Sequence, residues 1–391
     1  MNSKVQIETL NIGIKKDKLD AVCFKISAGS KTAMVTTKNK YAAAPVIISK
    51  ENITQSQPRY LLVNSGNANA CTGKTGVSNV IKCTKFISKK FNCNANEVLI
   101  FSTGIIGRQL PIDIIEKKIQ KHKFSFKSSW KLASKAIMTT DKFSKSISRS
   151  FLINNTKITI NAICKGAGMI EPNMATMLAF ISINTKLNTI LLKKILKNIT
   201  NNSFNLISVD GDMSTNDSVV LISTGENDQI NFKDNSNNYK KLLNELTKTC
   251  QKLSRMIIQD GEGATKVITI NVNKSKNNMQ AKTTAYSLAN SNLIKTAMFG
   301  ADPNWGRIIA RLGSIDKIDY KTDKVYLKIN NILVFKNGIQ AKNCDLKLLN
   351  KSMKSNEIVI DLFLNSGNGS YSIMTSDLTQ EYIHINSAYT T

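Results

Sequence analysis

Three features of the sequence predict mixed α/β architecture in two lobes. Short runs of β-branched and apolar residues alternate with amphipathic helical stretches along the whole chain. Neither a fixed-period repeat nor a low-complexity linker interrupts them. The chain, at 391 residues, is long enough to enclose more than one core.

Taken in order, residues 21–26 and 32–36 are rich in β-branched and apolar side chains and read as strands. A further strand, 59–63, runs into a glycine- and asparagine-rich loop over 64–73. The helix expected at 76–91 carries Val77, Val80, Ile81, Phe86 and Ile87 on one side. Strand 97–101 leads to Ser102-Thr103-Gly104, and Pro111 suits the first turn of a helix over 112–121. A helix at 130–139 follows. Strands 146–153 and 157–164 flank Asn154-Asn155, and alternation places Ile158, Ile160, Ala162 and Cys164 on one face. Residues 176–183 form an apolar run expected to be a buried strand. Leu187, Leu191, Ile195 and Ile199 then make a helical stripe, with Lys193, Lys194 and Lys197 opposite. A strand and loop over 210–224 precede a long helix at 239–258 that closes at Gly261. Strand 266–272 and a helix at 283–298, closed by Gly300, come next. From Lys324 onward the pattern is mainly strands, ending in 371–374 and 381–385.

Composition narrows the function classes. The formal net charge is +27, which favours acidic partners. The lysines, however, are spread along the chain, and the sparse aromatics are not interleaved with them, so no platform for stacking bases forms. Heavy joint use of Asn, Ile and Lys is what an AT-biased coding sequence produces without any partner. No nucleic-acid or membrane partner is expected. No run of 18 apolar residues exists, and residues 1–8 carry neither a signal-like apolar core nor an Arg/Ser-rich amphipathic stretch. Seven scattered cysteines, none in a C-x-x-C arrangement, argue against a disulfide framework or a zinc site and point to a reducing cytoplasm. With only two histidines, His122 and His384, catalysis by a histidine-assisted nucleophile or a zinc ion is disfavoured.

The stretch from Lys165 to Phe180 is where chemistry concentrates. A Gly- and Pro-punctuated turn leads through Ala175 to Thr176, a hydroxyl residue where a constrained loop meets a strand. In that setting a peptide bond can be attacked by the side chain that follows it. A Thr freed at a new N-terminus carries nucleophile and base together, because its α-amino group, pKa about 7.7–8.0, can take the hydroxyl proton. The plainer alternative is a glycine turn feeding a core strand. The loop Gly66 to Thr75 ends in Gly-Lys-Thr but has six residues between Gly66 and Gly73, where a phosphate-binding loop needs four, so nucleotide hydrolysis is set aside. Thr103 and Gly104 can supply converging hydroxyl and backbone donors for an oxyanion, or be an ordinary strand-to-turn junction. Residues 210–217 are a capped turn with the wrong spacing for calcium. Glu262 lies between two glycines and can be a surface turn residue or a carboxylate presented to an amine.

Together these segments resemble ornithine acetyltransferase, also called glutamate N-acetyltransferase, of the arginine pathway. The resemblance rests on residues 64–70, 102–107, 137–141, 165–180, 211–217, 260–266, 300–307 and 385–391, in the family's order. It is looser over residues 1–55. It implies a precursor that cuts itself between Ala175 and Thr176. Residues 1–175 become an α chain carrying the oxyanion site, and residues 176–391 a β chain that begins with the nucleophile. Thr176 then accepts acetyl from N-acetylornithine and passes it to glutamate by a ping-pong path. Thr103 and Gly104 match the family's oxyanion-hole pair. Thr139, Lys165, Thr176, Glu262, Asn386 and Thr391 match its substrate-contacting positions. The implied fold is one shared with self-processing aminopeptidases, similar to but topologically distinct from N-terminal-nucleophile hydrolases. The implied assembly is a heterotetramer of two α and two β chains. Some members also acetylate glutamate from acetyl-CoA, which stands as a candidate co-substrate; no other cofactor and no metal is expected. The rival readings are a self-processing amidohydrolase or aminopeptidase on the same scaffold and, from another class, a basic nucleic-acid-binding protein.

Overall fold

The computed structural model of the chain describes residues 4–171 and 177–388; Ala175, Thr176 and Thr391 lie outside the described residues. The chain divides into two units, one of residues 1–205, 213–257 and 390–391, the other of residues 206–212 and 258–389.

In chain order the elements are β1 (Val5–Leu10), β2 (Ala21–Ile26), β3 (Lys31–Thr36), α1 (Ala44–Gln55), β4 (Tyr60–Asn67), α2 (Gly73–Phe91), β5 (Val98–Ile105), α3 (Ile112–Lys121) and α4 (Trp130–Ala136). There follow β6 (Lys145–Ile153), β7 (Thr156–Lys165), β8 (Leu178–Thr185), α5 (Thr189–Asn201), β9 (Ile207–Ser208), β10 (Ser218–Asn227) and α6 (Asn237–Gln259). The remainder comprises β11 (Val267–Ser275), α7 (Asn278–Ala289), α8 (Asn292–Phe299), α9 (Trp305–Gly313), β12 (Tyr326–Ile329), β13 (Ile332–Lys336), β14 (Ile339–Gln340), α10 (Leu346–Ser352), β15 (Glu357–Phe363), β16 (Gly369–Ser376) and α11 (Gln380–Ala388).

The first unit packs two sheets face to face. One has strand order β1-β2-β4-β5, the other β3-β10-β8-β7-β6; β4–β5 and β8–β10 run parallel and the remaining pairs antiparallel. Strand alternation decides which side chains meet. Val22, Phe24 and Ile26 face the inner core with Phe101, Ile163, Phe180 and Val220. Ala21 and Cys23 instead face the outer layer with Val80, Cys83 and Ile87 of α2. Phe180 joins the sheets, its ring 5.2 Å from both Phe24 and Phe101. On the far side α6 covers β7, where Cys164 lies against the Leu253 carbonyl at 3.9 Å.

The second unit is a seven-stranded sheet, β14-β13-β12-β15-β11-β16-β9. Ile268, Ile270 and Val272 of β11 pack with Ala281, Ala285 and Leu288 of α7 in its core. No helix among the described residues is long and apolar enough to cross a membrane.

The alternating elements follow the sequence closely, with four departures. β4 continues through Asn67, where a loop was expected, because Gly66 pairs opposite Gly104 and prolongs the parallel ladder. The pattern over 283–298 predicts one helix, and the structure has two. Asn290 and Ser291 donate to the Tyr286 and Leu288 carbonyls to end α7, and the Ser291 carbonyl starts α8 by accepting from Lys295. Such residues compete with helical bonding and favour caps. Residues 381–385, expected as a strand, lie in the helix α11. Its first turn begins where the Thr379 hydroxyl accepts from the Tyr382 N–H at 3.3 Å. The β-branched composition misled, since this run is held by the Thr379 cap and by the Asn386–Glu262 bond and not by strand pairing. Finally, the structure adds β1, α1, β9, α9 and α10 to the expected elements, although α9 is strongly amphipathic in sequence.

Candidate active site

In the first unit the parallel ends of β4 and β5 build the site. Asn216 Nδ2 donates to the Ala68 and Ser102 carbonyls at 2.6 and 2.9 Å, and the Ser102 hydroxyl donates to Asn64 Oδ1 at 2.5 Å. These bonds clamp the strand ends, so the next residues, Thr103 and Gly104, hold one orientation. Gly104 has φ +130°, and a Cβ there would lie 2.4 Å from the Gly66 carbonyl carbon. Only glycine permits that approach.

Lys165, the last residue of β7, is buried and donates through Nζ to Thr103 Oγ1 at 3.2 Å. The two sequence-selected residues therefore meet. Thr139 is drawn to the same region through Asp141, whose Oδ2 accepts from the Thr139 N–H at 3.0 Å. Asp141 Oδ1 accepts from Lys145 Nζ at 2.7 Å and from the Gly166 N–H at 2.8 Å. Burial alone raises the Asp141 pKa. The Lys165 and Lys145 ammonium groups and the bonds from Lys145 and Gly166 outweigh it and bring the value down to about 2. Thr103, Lys165, Met177, Leu178, Ser214, Asn216 and Asp217 enclose a cavity of about 20 Å³, room for one water-sized group.

In the second unit Glu262, 8 % exposed, sits in the turn after α6, and its Oε2 accepts from Asn386 Nδ2 of α11 at 2.8 Å. The turn is shaped by Asp377, which accepts from the Thr265 and Lys266 N–H groups at 2.8 and 3.0 Å and from the Thr265 hydroxyl. Gly263, at φ +70°, lets α11 approach: a Cβ would lie 2.5 Å from the Tyr382 nitrogen. Burial, followed by the Asp210, Glu262 and Asp212 carboxylates, raises the Tyr382 pKa, so the phenol stays protonated. A cavity of about 390 Å³ adjoins it, lined by Val209, Asp210, Asn290, Asn292, Lys295, Leu378, Tyr382 and Ile383.

Lys295 is 3 % exposed and donates to Thr375 Oγ1 at 3.0 Å and to the Ser376 carbonyl. Burial lowers its pKa from 10.5 to about 8, against the opposing pull of Asp210 and Asp377. Between those values the unfolded chain holds a proton that the folded chain does not. Stability therefore rises with pH across roughly pH 8 to 10.5, by on the order of 3 kcal/mol in full. Lys295→Met is expected to remove that rise. Denaturant titrations of both proteins at pH 7.5 and pH 10 test it, and equal pH effects in the two would contradict the assignment.

Thr103, Gly104, Thr139 and Lys165 thus gather in one unit, and Glu262 and Asn386 in the other. Asp141, Lys15, Asn216 and Tyr382 carry positions that motif reading did not assign. Asp141 lies in the family-like stretch 137–141 and was findable there, whereas Lys15 is one of several lysines in a loosely matching region. In the family-like stretch 300–307 the Asp302 N–H donates to the Ala297 carbonyl, and Asn304 caps α9 by accepting from the Arg307 N–H at 3.3 Å.

A mixed α/β scaffold that brings hydroxyl, ammonium and backbone donors together at strand ends is that of an enzyme built to stabilise developing negative charge. The family model described as the ArgJ family matches residues 6–391. The chain belongs to the ArgJ family. It is 38 % identical over 383 residues to the arginine biosynthesis bifunctional protein ArgJ of Pseudomonas fluorescens, covering 97 % of this chain and 94 % of the relative. It is likewise 38 % identical to the protein of that name from Lactococcus lactis, covering 98 % and 96 %. The crystal structure of the Bacillus halodurans protein of that name superposes with a TM-score of 0.50 at 32 % identity, over 54 % of this chain and 98 % of that one.

Proposed function

We propose that this protein is a glutamate N-acetyltransferase of arginine biosynthesis. It moves the acetyl group of N2-acetylornithine to glutamate and also acetylates glutamate from acetyl-CoA, with Thr176 as nucleophile. The supporting observation is the cavity that Thr103 and Lys165 share with Met177, the residue that follows Thr176 in the sequence.

The chemistry proceeds as follows. The Thr176 hydroxyl attacks the Ala175 carbonyl, the acyl group shifts from nitrogen to oxygen, and water hydrolyses the ester. Residues 1–175 and 176–391 separate covalently and remain associated, and the Thr176 amine is free to act as base. The hydroxyl then attacks the acetyl carbon. The tetrahedral oxyanion accepts hydrogen bonds from Thr103 and Gly104, and Lys165 holds positive charge beside it. The α-amine of ornithine leaves with a proton, and the α-amine of glutamate attacks acetyl-Thr176. With acetyl-CoA as donor, the thiol leaves instead. Lys165 pairs with a substrate carboxylate and Glu262 with the ornithine side-chain ammonium. Asn386, whose amide bonds Glu262, offers an N–H to the glutamate side chain, so one pocket can serve opposite charges. Thr139 and Thr391 add polar contacts. Two chains of each kind form the assembly.

A denaturing gel with N-terminal sequencing, run beside a product assay, tests the reading. Two fragments are expected, the second beginning Thr-Met-Leu-Ala-Phe. With glutamate present, N-acetylglutamate should form faster than free acetate. A fully active uncut chain would sink the nucleophile, and acetate release indifferent to glutamate would make the enzyme a hydrolase.

A further inference from the structure

The cavity of about 390 Å³ in the second unit has the size of a small-molecule site, and the chemistry above does not use it. Its charges are matched within the protein. Lys295 directs its three protons to Thr375 Oγ1, the Ser376 carbonyl and Ser376 Oγ, and the Asp210 and Asp377 carboxylates oppose its charge. Asp210 Oδ2 accepts from the Tyr382 hydroxyl at 3.5 Å. A charged ligand would set one of these groups against it, and an uncharged one would not.

The rest of the lining suits an uncharged ligand that is part apolar and part amide. Val209, Leu378 and Ile383 supply an aliphatic wall. Asn292 is exposed, and its side-chain amide has no hydrogen-bond partner among the described residues, so it offers both a donor and an acceptor. Ile383 is 64 % exposed, so the cavity meets solvent at this residue and at Asn292. Next to Asn292, the Leu293 carbonyl accepts from Arg307 Nη1 at 2.8 Å, and the guanidinium has no carboxylate partner among the described residues. Tyr382 joins this space to the predicted substrate position. It lines the cavity, and its carbonyl accepts at 3.0 Å from Asn386 Nδ2, the nitrogen that also donates to Glu262.

Of the three ligands in the proposed reaction, N2-acetylornithine and glutamate are charged amino acids, assigned to Lys165, Glu262 and Asn386. Acetyl-CoA carries its acetyl group on a long uncharged arm with two amides, a hydroxyl and a dimethyl-substituted carbon, and its phosphates lie at the far end. Such an arm matches an amide beside an aliphatic wall, and a guanidinium outside the mouth matches the phosphates.

We propose that this cavity holds the pantetheine arm of acetyl-CoA, so that the two acetyl donors reach one nucleophile through different binding groups. This rests on the acetyl-transfer reading. In the step it serves, the thioester C–S bond breaks as the Thr176 oxygen bonds the acetyl carbon. The hydroxyl proton passes through the Thr176 amine to the departing thiolate.

The test is steady-state kinetics with glutamate as acceptor and either acetyl-CoA or N2-acetylornithine as donor, on the wild type, Ile383→Trp and Asn292→Ala. Ile383→Trp fills the mouth and should raise KM for acetyl-CoA about 10-fold or more, and Asn292→Ala by about 3- to 10-fold, as one lost hydrogen bond implies. For N2-acetylornithine, kcat/KM should stay within about twofold. S-acetyl-N-acetylcysteamine, a thioester that keeps only the first amide of the arm, should be used poorly and equally by all three proteins. Calorimetric binding of CoA should weaken in parallel with KM, and thermal melting reports whether each variant folds. An equal loss with both donors, or no change with either, overturns the proposal. A wild type that uses N2-acetylornithine yet neither binds CoA nor uses acetyl-CoA overturns it and leaves the acetyl-transfer reading standing. CoA binding that depends on Ile383 in a protein that transfers no acetyl refutes that reading and supports the cavity assignment.

Discussion

Thr176→Ala is expected to remain a single 43.2 kDa chain and to lose acetyl transfer by at least about a thousandfold. The size of the effect follows from the lack of substitutes. His122 is tied to Glu8 at 2.9 Å, His384 is exposed on α11, and among the described residues neither ring is hydrogen-bonded to a hydroxyl. Burial drives the Cys23, Cys83 and Cys250 thiols upward, Cys83 to about 12, which keeps them protonated and unreactive. Thr176→Ser keeps a hydroxyl on the same backbone position, and should cleave and transfer at a reduced rate. The variants are compared by denaturing gel and by N-acetylglutamate formation. Substantial transfer by Thr176→Ala would remove Thr176 from the mechanism.

Asp141→Asn is expected to destabilise the first unit by about 3–5 kcal/mol, the cost of leaving a buried charge uncompensated. Both side chains of the Lys145–Asp141 pair are fully shielded from solvent, so water could not hydrate the Lys145 ammonium in place of the lost carboxylate charge. The carboxylate also organises Thr139 and Gly166 and stabilises Lys165, so activity should fall with stability. A double variant, Asp141→Asn with Lys145→Met, separates the two effects. Removing both charges should restore most of the stability, while the Thr139–Lys165 region still lacks its carboxylate and activity stays low. Chemical denaturation and steady-state kinetics on the three proteins measure this. Activity that recovers along with stability would show that Asp141 serves folding alone. The low pKa of Asp141 adds a pH signature. Its stabilisation is complete above the ordinary value of 3.8 and disappears as the pH falls through about 2, so acid unfolding of the wild type should retain that contribution down to low pH.

Much of this was legible along the chain. The hairpin at Asn154-Asn155 is real, with both residues at positive φ, as a two-residue turn between twisted strands requires. Helix α3 spans Ile112–Lys121 as its amphipathic pattern and Pro111 indicate. Thr103, Gly104 and Lys165 were selected from local chemistry and resemblance, and the first unit gathers them. What failed, failed where neighbours decide. The β-branched run 381–385 became a helix because the Thr379 cap and the Asn386–Glu262 bond hold it, and α7 separated from α8 because two capping residues outweighed a continuous apolar pattern.

By itself the sequence determined the alternation of strands and helices, the absence of the usual histidine bases, and the ordered motifs that carry family membership. Those are properties of spacing and residue type, which a linear chain already contains. Only the tertiary structure decided that Asp141 is the hub joining Thr139, Lys145, Lys165 and Gly166, and that Lys15, from the loop before β2, ends beside Ser65 and Met138. Among 54 lysines and arginines, the motifs mark Lys165, but nothing in the sequence marks Lys15 as different. The difference is desolvation together with the charges brought within range, and both exist only after residues distant in sequence have packed together.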